Sequence, residues 1–104
     1  MITYYRDNSY CVKLSGVKSC LTDTYVNNAT VTAQLKDEAG NNLGSAVSIP
    51  YVAASNGDYA GVIPEDVADL SSHKYGRVHV VADVSNQFHA EWTEPVEFEN
   101  RRAC

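Results

Sequence analysis

Through several stretches of this chain every second residue is apolar, the spacing that puts alternate side chains on opposite faces of a pleated strand. From Ala29 to Lys36 the odd positions are Ala, Val, Ala and Leu and the even ones Thr, Thr, Gln and Lys. A strand of that kind keeps one face on a core and the other in water. Tyr10, Val12 and Leu14 repeat the pattern near the start, as do Val47, Ile49 and Tyr51 in the middle. Residues Tyr59 to Ile63 read as a strand apolar on both sides. Toward the end come Val78, Val80, Ala82 and Val84, then Phe88, Ala90 and Trp92, and finally Val96 and Phe98.

Punctuation falls between these runs. Asp37-Glu38-Ala39-Gly40-Asn41-Asn42 and Ser55-Asn56-Gly57-Asp58 have the composition of turns, with Asn-Gly able to take positive backbone angles. Ser15-Gly16 is a weaker third turn. Only Pro64 to Leu70 reads as helical, with proline and acids where a first turn prefers them, and it is long enough for one or two turns.

The last hairpin permits a register calculation, because a slip of one residue sends every side chain to the wrong face. A three-residue loop, Ser85-Asn86-Gln87, pairs Val84 with Phe88, Ala82 with Ala90 and Val80 with Trp92, gathering the large apolar groups on one side. A two-residue loop would set Val80 against Glu91. The first register is expected, and it places Asp83 beside His89 on the wetter face.

About seven short strands, with no helix long enough to cover a sheet, predict an all-β immunoglobulin-like antiparallel β-sandwich with one short helical turn. The whole chain, 1–104, is expected to form one domain, too short to split into two self-supporting halves. Trp92, Phe88, Val80, Val31, Leu35 and Ile49 are the expected core.

Composition sharpens this picture only slightly. Hydrophobic residues are 44% and charged ones 20%, a balance that supports folding. Thirteen acidic against eight basic side chains give a net charge of -5, which disfavours nucleic acid as a partner. The amino-terminal residues do not read as a secretory signal and no stretch reads as a bilayer span, so the expected place is the cytoplasm, with no membrane partner. On that route the acceptor triplet Asn28-Ala29-Thr30 carries no sugar. Cys11, Cys20 and Cys104 are an odd number, against a complete disulfide framework. A tight turn at Ser15-Gly16 would set Cys11 opposite Cys20, where a reduced pair of buried thiols is preferred over a bridge.

Candidate chemistry is sparse. Asp83, His89 and His79 converge too little for a metal, which takes three or four ligands with supporting neighbours. No cysteine is placed near His73, His79 or His89 to make a nucleophile. The oxygen-rich turn at Asp37 to Asn42 lacks the spacing of a calcium loop. No enzyme activity, metal or cofactor is therefore expected. Tyrosine is in excess, seven in all, and Tyr4, Tyr5 and Tyr10 cluster at the start. A residue that buries a large ring yet keeps a hydroxyl suits a wet interface, so these three are the candidate partner contacts.

The run Ala29 to Asp37, then Gly40, then Asn56-Gly57-Asp58-Tyr59-Ala60-Gly61-Val62-Ile63-Pro64, and a tyrosine before a valine-rich strand at Tyr75 to Val84, resembles the small immunoglobulin-like structural modules of tailed bacteriophages and prophages. The likeness covers about residues 24 to 84. Tyr75 would need a bulge at Gly76 to come into phase with Val78 and Val80, as a corner tyrosine does. The resemblance implies a non-catalytic virion component, whether head decoration, head-tail adaptor or tail component. Such a protein docks on other virion proteins or on copies of itself in a symmetric homo-oligomer. The rival is a carbohydrate-binding or adhesive module in which Tyr51, Tyr59 or Tyr75 stacks on sugar rings. A small enzyme using Asp83 and His89 is the third alternative.

Overall fold

The computed structural model describes residues 2–6, 8–19, 22–84 and 88–100. Among them the chain is all-β, with nine strands and no helix: β1 (Ile2–Tyr5), β2 (Tyr10–Leu14), β3 (Lys18–Ser19), β4 (Thr24–Tyr25), β5 (Thr30–Asp37), β6 (Val47–Ser48), β7 (Tyr59–Ile63), β8 (Tyr75–Val84) and β9 (Phe88–Glu99). Five of them form the main sheet in the order β1-β9-β8-β5-β6, while β2 pairs with β7 and β3 with β4.

The alternating pattern sets the main sheet. Val31, Ala33 and Leu35 of β5 lie opposite Ala82, Val80 and Val78 of β8, so one face is continuously apolar. The hairpin register is the one parity demands: Val84 opposite Phe88, Ala82 opposite Ala90, Val80 opposite Trp92, and Asp83 opposite His89. The expected loop, Ser85 to Gln87, lies outside the described residues. The expected turn at Asp37 forms as well. Asn41 donates its amide to the Asp37 carboxylate at 2.8 Å, and Gly40 takes a φ of +88°, where a side chain would be strained.

Over this apolar face lies the second layer, β2 with β7, giving a sandwich-like arrangement. Its inward residues Val12, Tyr59 and Ile63 join Val31, Leu35, Val96 and Phe98 in one core. Tyr4, Tyr59 and Phe98 are its largest members.

Several expectations from the sequence are corrected. Trp92, expected in the core, is 41% exposed, and Phe88 is only partly buried, whereas Val80, Val31, Leu35 and Ile49 are core residues. Trp92 does share a parity with buried Val96 and Phe98, but the two-stranded layer above leaves its side chain at the lip of the fold. Trp92→Ala is therefore expected to destabilise by about 1 to 2 kcal/mol, well short of the roughly 3 to 5 typical of a buried aromatic. Urea unfolding checks this, and a loss as large as a core truncation contradicts it.

Residues 64–70 form no helix, since one or two turns cannot repay nucleation. A single bond from the Val67 amide to the Pro64 carbonyl (3.3 Å) remains. The end of this segment is tied to the start of the chain, with the Arg6 guanidinium donating to the carbonyls of Leu70 (2.9 Å) and His73.

Among the described residues the strands number nine, not about seven, and one pair is parallel: Ile2 to Tyr5 run alongside Val96 to Glu99. Ser15-Gly16 makes no hairpin between β2 and the next strand, because β2 pairs with β7. Cys11 consequently lies exposed opposite Val62, not buried against Cys20, which with Cys104 is outside the described residues. Gly76 makes no bulge, and the ladder runs unbroken through Tyr75↔Glu97, Gly76↔Val96 and Arg77↔Pro95. Tyr75 thus stays on the outer face.

Candidate docking surface

The β9 strand is longer than its neighbour can cover. β1 accompanies it only from Val96 onward, so among the described residues Phe88 to Pro95 have no ladder partner on that side. Pro95 marks the junction, since it has no N–H and is tolerated at an edge. β2 likewise pairs on one side only. Between these two open edges runs an apolar groove of about 450 Å³, lined by Val12, Leu14, Val78, Val80, Trp92 and Glu94. Past Leu14 and Trp92 a second hollow of about 500 Å³ continues it toward Val17 and Phe88.

Unpaired strand amides and carbonyls beside exposed aromatic surface are a template for another strand. Backbone groups would supply the affinity, and the Trp92 and Phe88 positions the selectivity.

The outer face of the same strand is polar. His79 sits between Thr93 Oγ1 (Nδ1, 3.2 Å) and Glu91 Oε1 (Nε2, 2.9 Å), and His89 between Asp83 Oδ1 (Nδ1, 3.1 Å) and Glu91 Oε2 (Nε2, 3.4 Å). The hydrogen bond to Asp83, followed by that to Glu91, raises the His89 pKa above the ordinary 6.5. Bonds from His79 and then His89 lower the Glu91 pKa below 4.5.

The row lies on a flat, wet face where ion pairs contribute little. Among the described residues no group of three His, Cys, Asp or Glu side chains is arranged to hold a metal ion.

The two shifts set a pH window. A raised imidazole stabilises the fold fully below 6.5 and stops doing so as pH rises through its folded-state value. A lowered carboxylate stabilises above 4.5 and stops as pH falls through its own. His89 and Glu91 therefore contribute most between those values. Asp83→Asn is expected to bring the His89 midpoint down in an NMR titration, and an unmoved midpoint would contradict the assignment of Asp83 as its main partner.

Of the three tyrosines expected to meet a partner, Tyr4 is a core residue, 1% exposed, stacked on Tyr10 with centroids 4.7 Å apart and edge-on to Phe98 at 5.4 Å. Only Tyr5 and Tyr10 reach the surface, both half-buried. Burial, with Tyr10 second, pushes the Tyr4 pKa up to about 12, and its hydroxyl has no hydrogen-bond partner among the described residues. Tyr4→Phe removes that unpaired group and is expected to stabilise by about 1 kcal/mol, read as a rise in melting temperature. A loss of stability would reveal a partner for the hydroxyl.

Tyr10 lies on the groove wall, its pKa raised by burial and then by the Glu94 charge. Of the aromatics a sugar surface would use, Tyr59 is buried and Tyr51 packs edge-on against it at 5.6 Å, so the three do not form one exposed platform.

A sheet edge is an expected place for contacts, but that the edge is β9 is not anticipated from the sequence. Its readable signal is Glu94, a carboxylate on the otherwise apolar parity between Trp92 and Val96, where a covered face would not tolerate it.

Taken together these features define an all-β fold that, among the described residues, leaves a strand edge open beside an apolar groove. Comparison with known proteins finds no family model, no curated protein and no solved structure that matches the chain. No helix among the described residues is long and apolar enough to cross a membrane.

Proposed function

We propose that this chain is an immunoglobulin-like, non-catalytic structural component of a tailed-bacteriophage particle, in the head, the head-tail junction or the tail. It acts by docking on other virion proteins or on copies of itself. The sequence resemblance over residues 24 to 84 motivates the particle. The observation that carries the docking reading is the open edge of β9 beside the groove, with Trp92 held at its lip.

Particles purified after induction of the strain encoding the chain are expected to contain it at a fixed multiple of the particle symmetry, measured by quantitative mass spectrometry. Its absence from every particle fraction would end the virion reading.

A further inference from the structure

We propose that the partner of the β9 edge is the β9 edge of a second copy, paired antiparallel about a two-fold axis through Ala90. This deepens the docking reading above by naming the partner, and it follows from register. In a symmetric antiparallel pair, residues meet face to face only if their numbers have the same parity. The candidate axes on the open stretch are therefore individual residues.

Centring on Glu91 sets that carboxylate against its own copy and Phe88 against Glu94. Centring on Trp92 leaves Ala90 against Glu94, a carboxylate facing the apolar side. Centring on Ala90 sets Phe88 against Trp92 of the second copy on the groove side, and His89 against Glu91 of the second copy on the wet side. Each is a favourable kind of cross-strand pair, aromatic with aromatic and an imidazole donor with a carboxylate acceptor.

The residue on the axis is a small one, so it does not hold the backbones apart. Trp92 and Phe88, uncovered or half-covered in the single chain, would cover each other across the join. The outer-face groups around the new pair are His79, Asp83 and Thr93 of the same sheet, with Thr30 and Thr32 of β5 behind them. The join would make one continuous sheet across two chains, closing the edge a lone copy leaves open.

The test uses the full chain with Cys11, Cys20 and Cys104 replaced by serine. Directly opposed residues in an antiparallel pair stand about 4.5 to 5.5 Å apart at Cα, within disulfide reach. Ala90→Cys in that background is expected to form a disulfide-linked dimer under mild oxidation, and Thr93→Cys is not.

In the parent, light scattering is expected to show a concentration-dependent dimer of the 11.4 kDa chain. His89→Glu and Glu91→Lys should each weaken it about ten-fold, and the double variant His89→Glu/Glu91→Lys should restore it. A parent that stays monomeric at millimolar concentration, or a dimer indifferent to these substitutions, overturns the proposal. A chain found in particles but monomeric, with no link through the Ala90→Cys variant, sinks the dimer and leaves the virion reading standing. A dimer linked through the Ala90→Cys variant, from a chain absent from particles, does the reverse.

Discussion

Tyr59→Ala is expected to lower stability by about 4 kcal/mol, a large share of the roughly 5 to 15 typical of a domain this size. The ring is 1% exposed and lies where the second layer meets the first. Its hydroxyl donates to the Val26 carbonyl at 2.7 Å and accepts from the Ala29 amide at 3.1 Å, holding the chain that leads into β5. Tyr59→Phe keeps the ring and orphans those two backbone groups, so a loss of about 2 kcal/mol is expected from it alone. Urea denaturation of both variants separates packing from hydrogen bonding. A phenylalanine variant as stable as the parent would show that the hydroxyl holds nothing.

Gly76→Ala is the second large effect. A β-carbon there would stand 2.5 Å from the Lys36 carbonyl oxygen and 2.7 Å from the Phe98 ring. Gly76 pairs with Asp37 on one side and Val96 on the other, so the strand cannot slide away. Phe98 is itself buried against Tyr4. Overpacking of this kind is expected to destabilise by about 3 kcal/mol, measured as a lower urea midpoint with an unchanged slope. A variant with the parent's midpoint would mean that the ring does not cover Gly76. With no bulge at Gly76, Tyr75 stays out of phase with Val78 and Val80, as the sequence spacing has it. The inward position belongs to Gly76, and Phe98 from the neighbouring strand fills the space above.

Both effects bear on the proposed docking through rigidity. A strand edge can template a partner only if its own sheet holds it flat and in register. β9 is held by β8 and, at its far end, by β1, while among the described residues the stretch Phe88 to Pro95 has no ladder partner on its other side.

The amino-acid sequence by itself determined what depends on near neighbours. Alternation gave β5, β8 and β9 their faces, parity selected the Val84–Phe88 register, and Asp37 with Gly40 specified a turn. Each involves residues close along the chain, where strand geometry leaves few choices.

Only the tertiary structure decided what lies over each face. Parity aims Tyr4 and Trp92 to the same side of the sheet, yet Tyr4 is covered by Tyr10 and Trp92 stands at the groove. Cys11 faces outward because β2 found β7 and not the strand next to it. Residues 64–70 gave up a helix too short to sustain itself. Burial is set by how far a second layer extends, and that extent comes from contacts between residues distant in the chain. The sequence pattern could therefore say which way Trp92 points, but not that among the described residues it would stay 41% exposed.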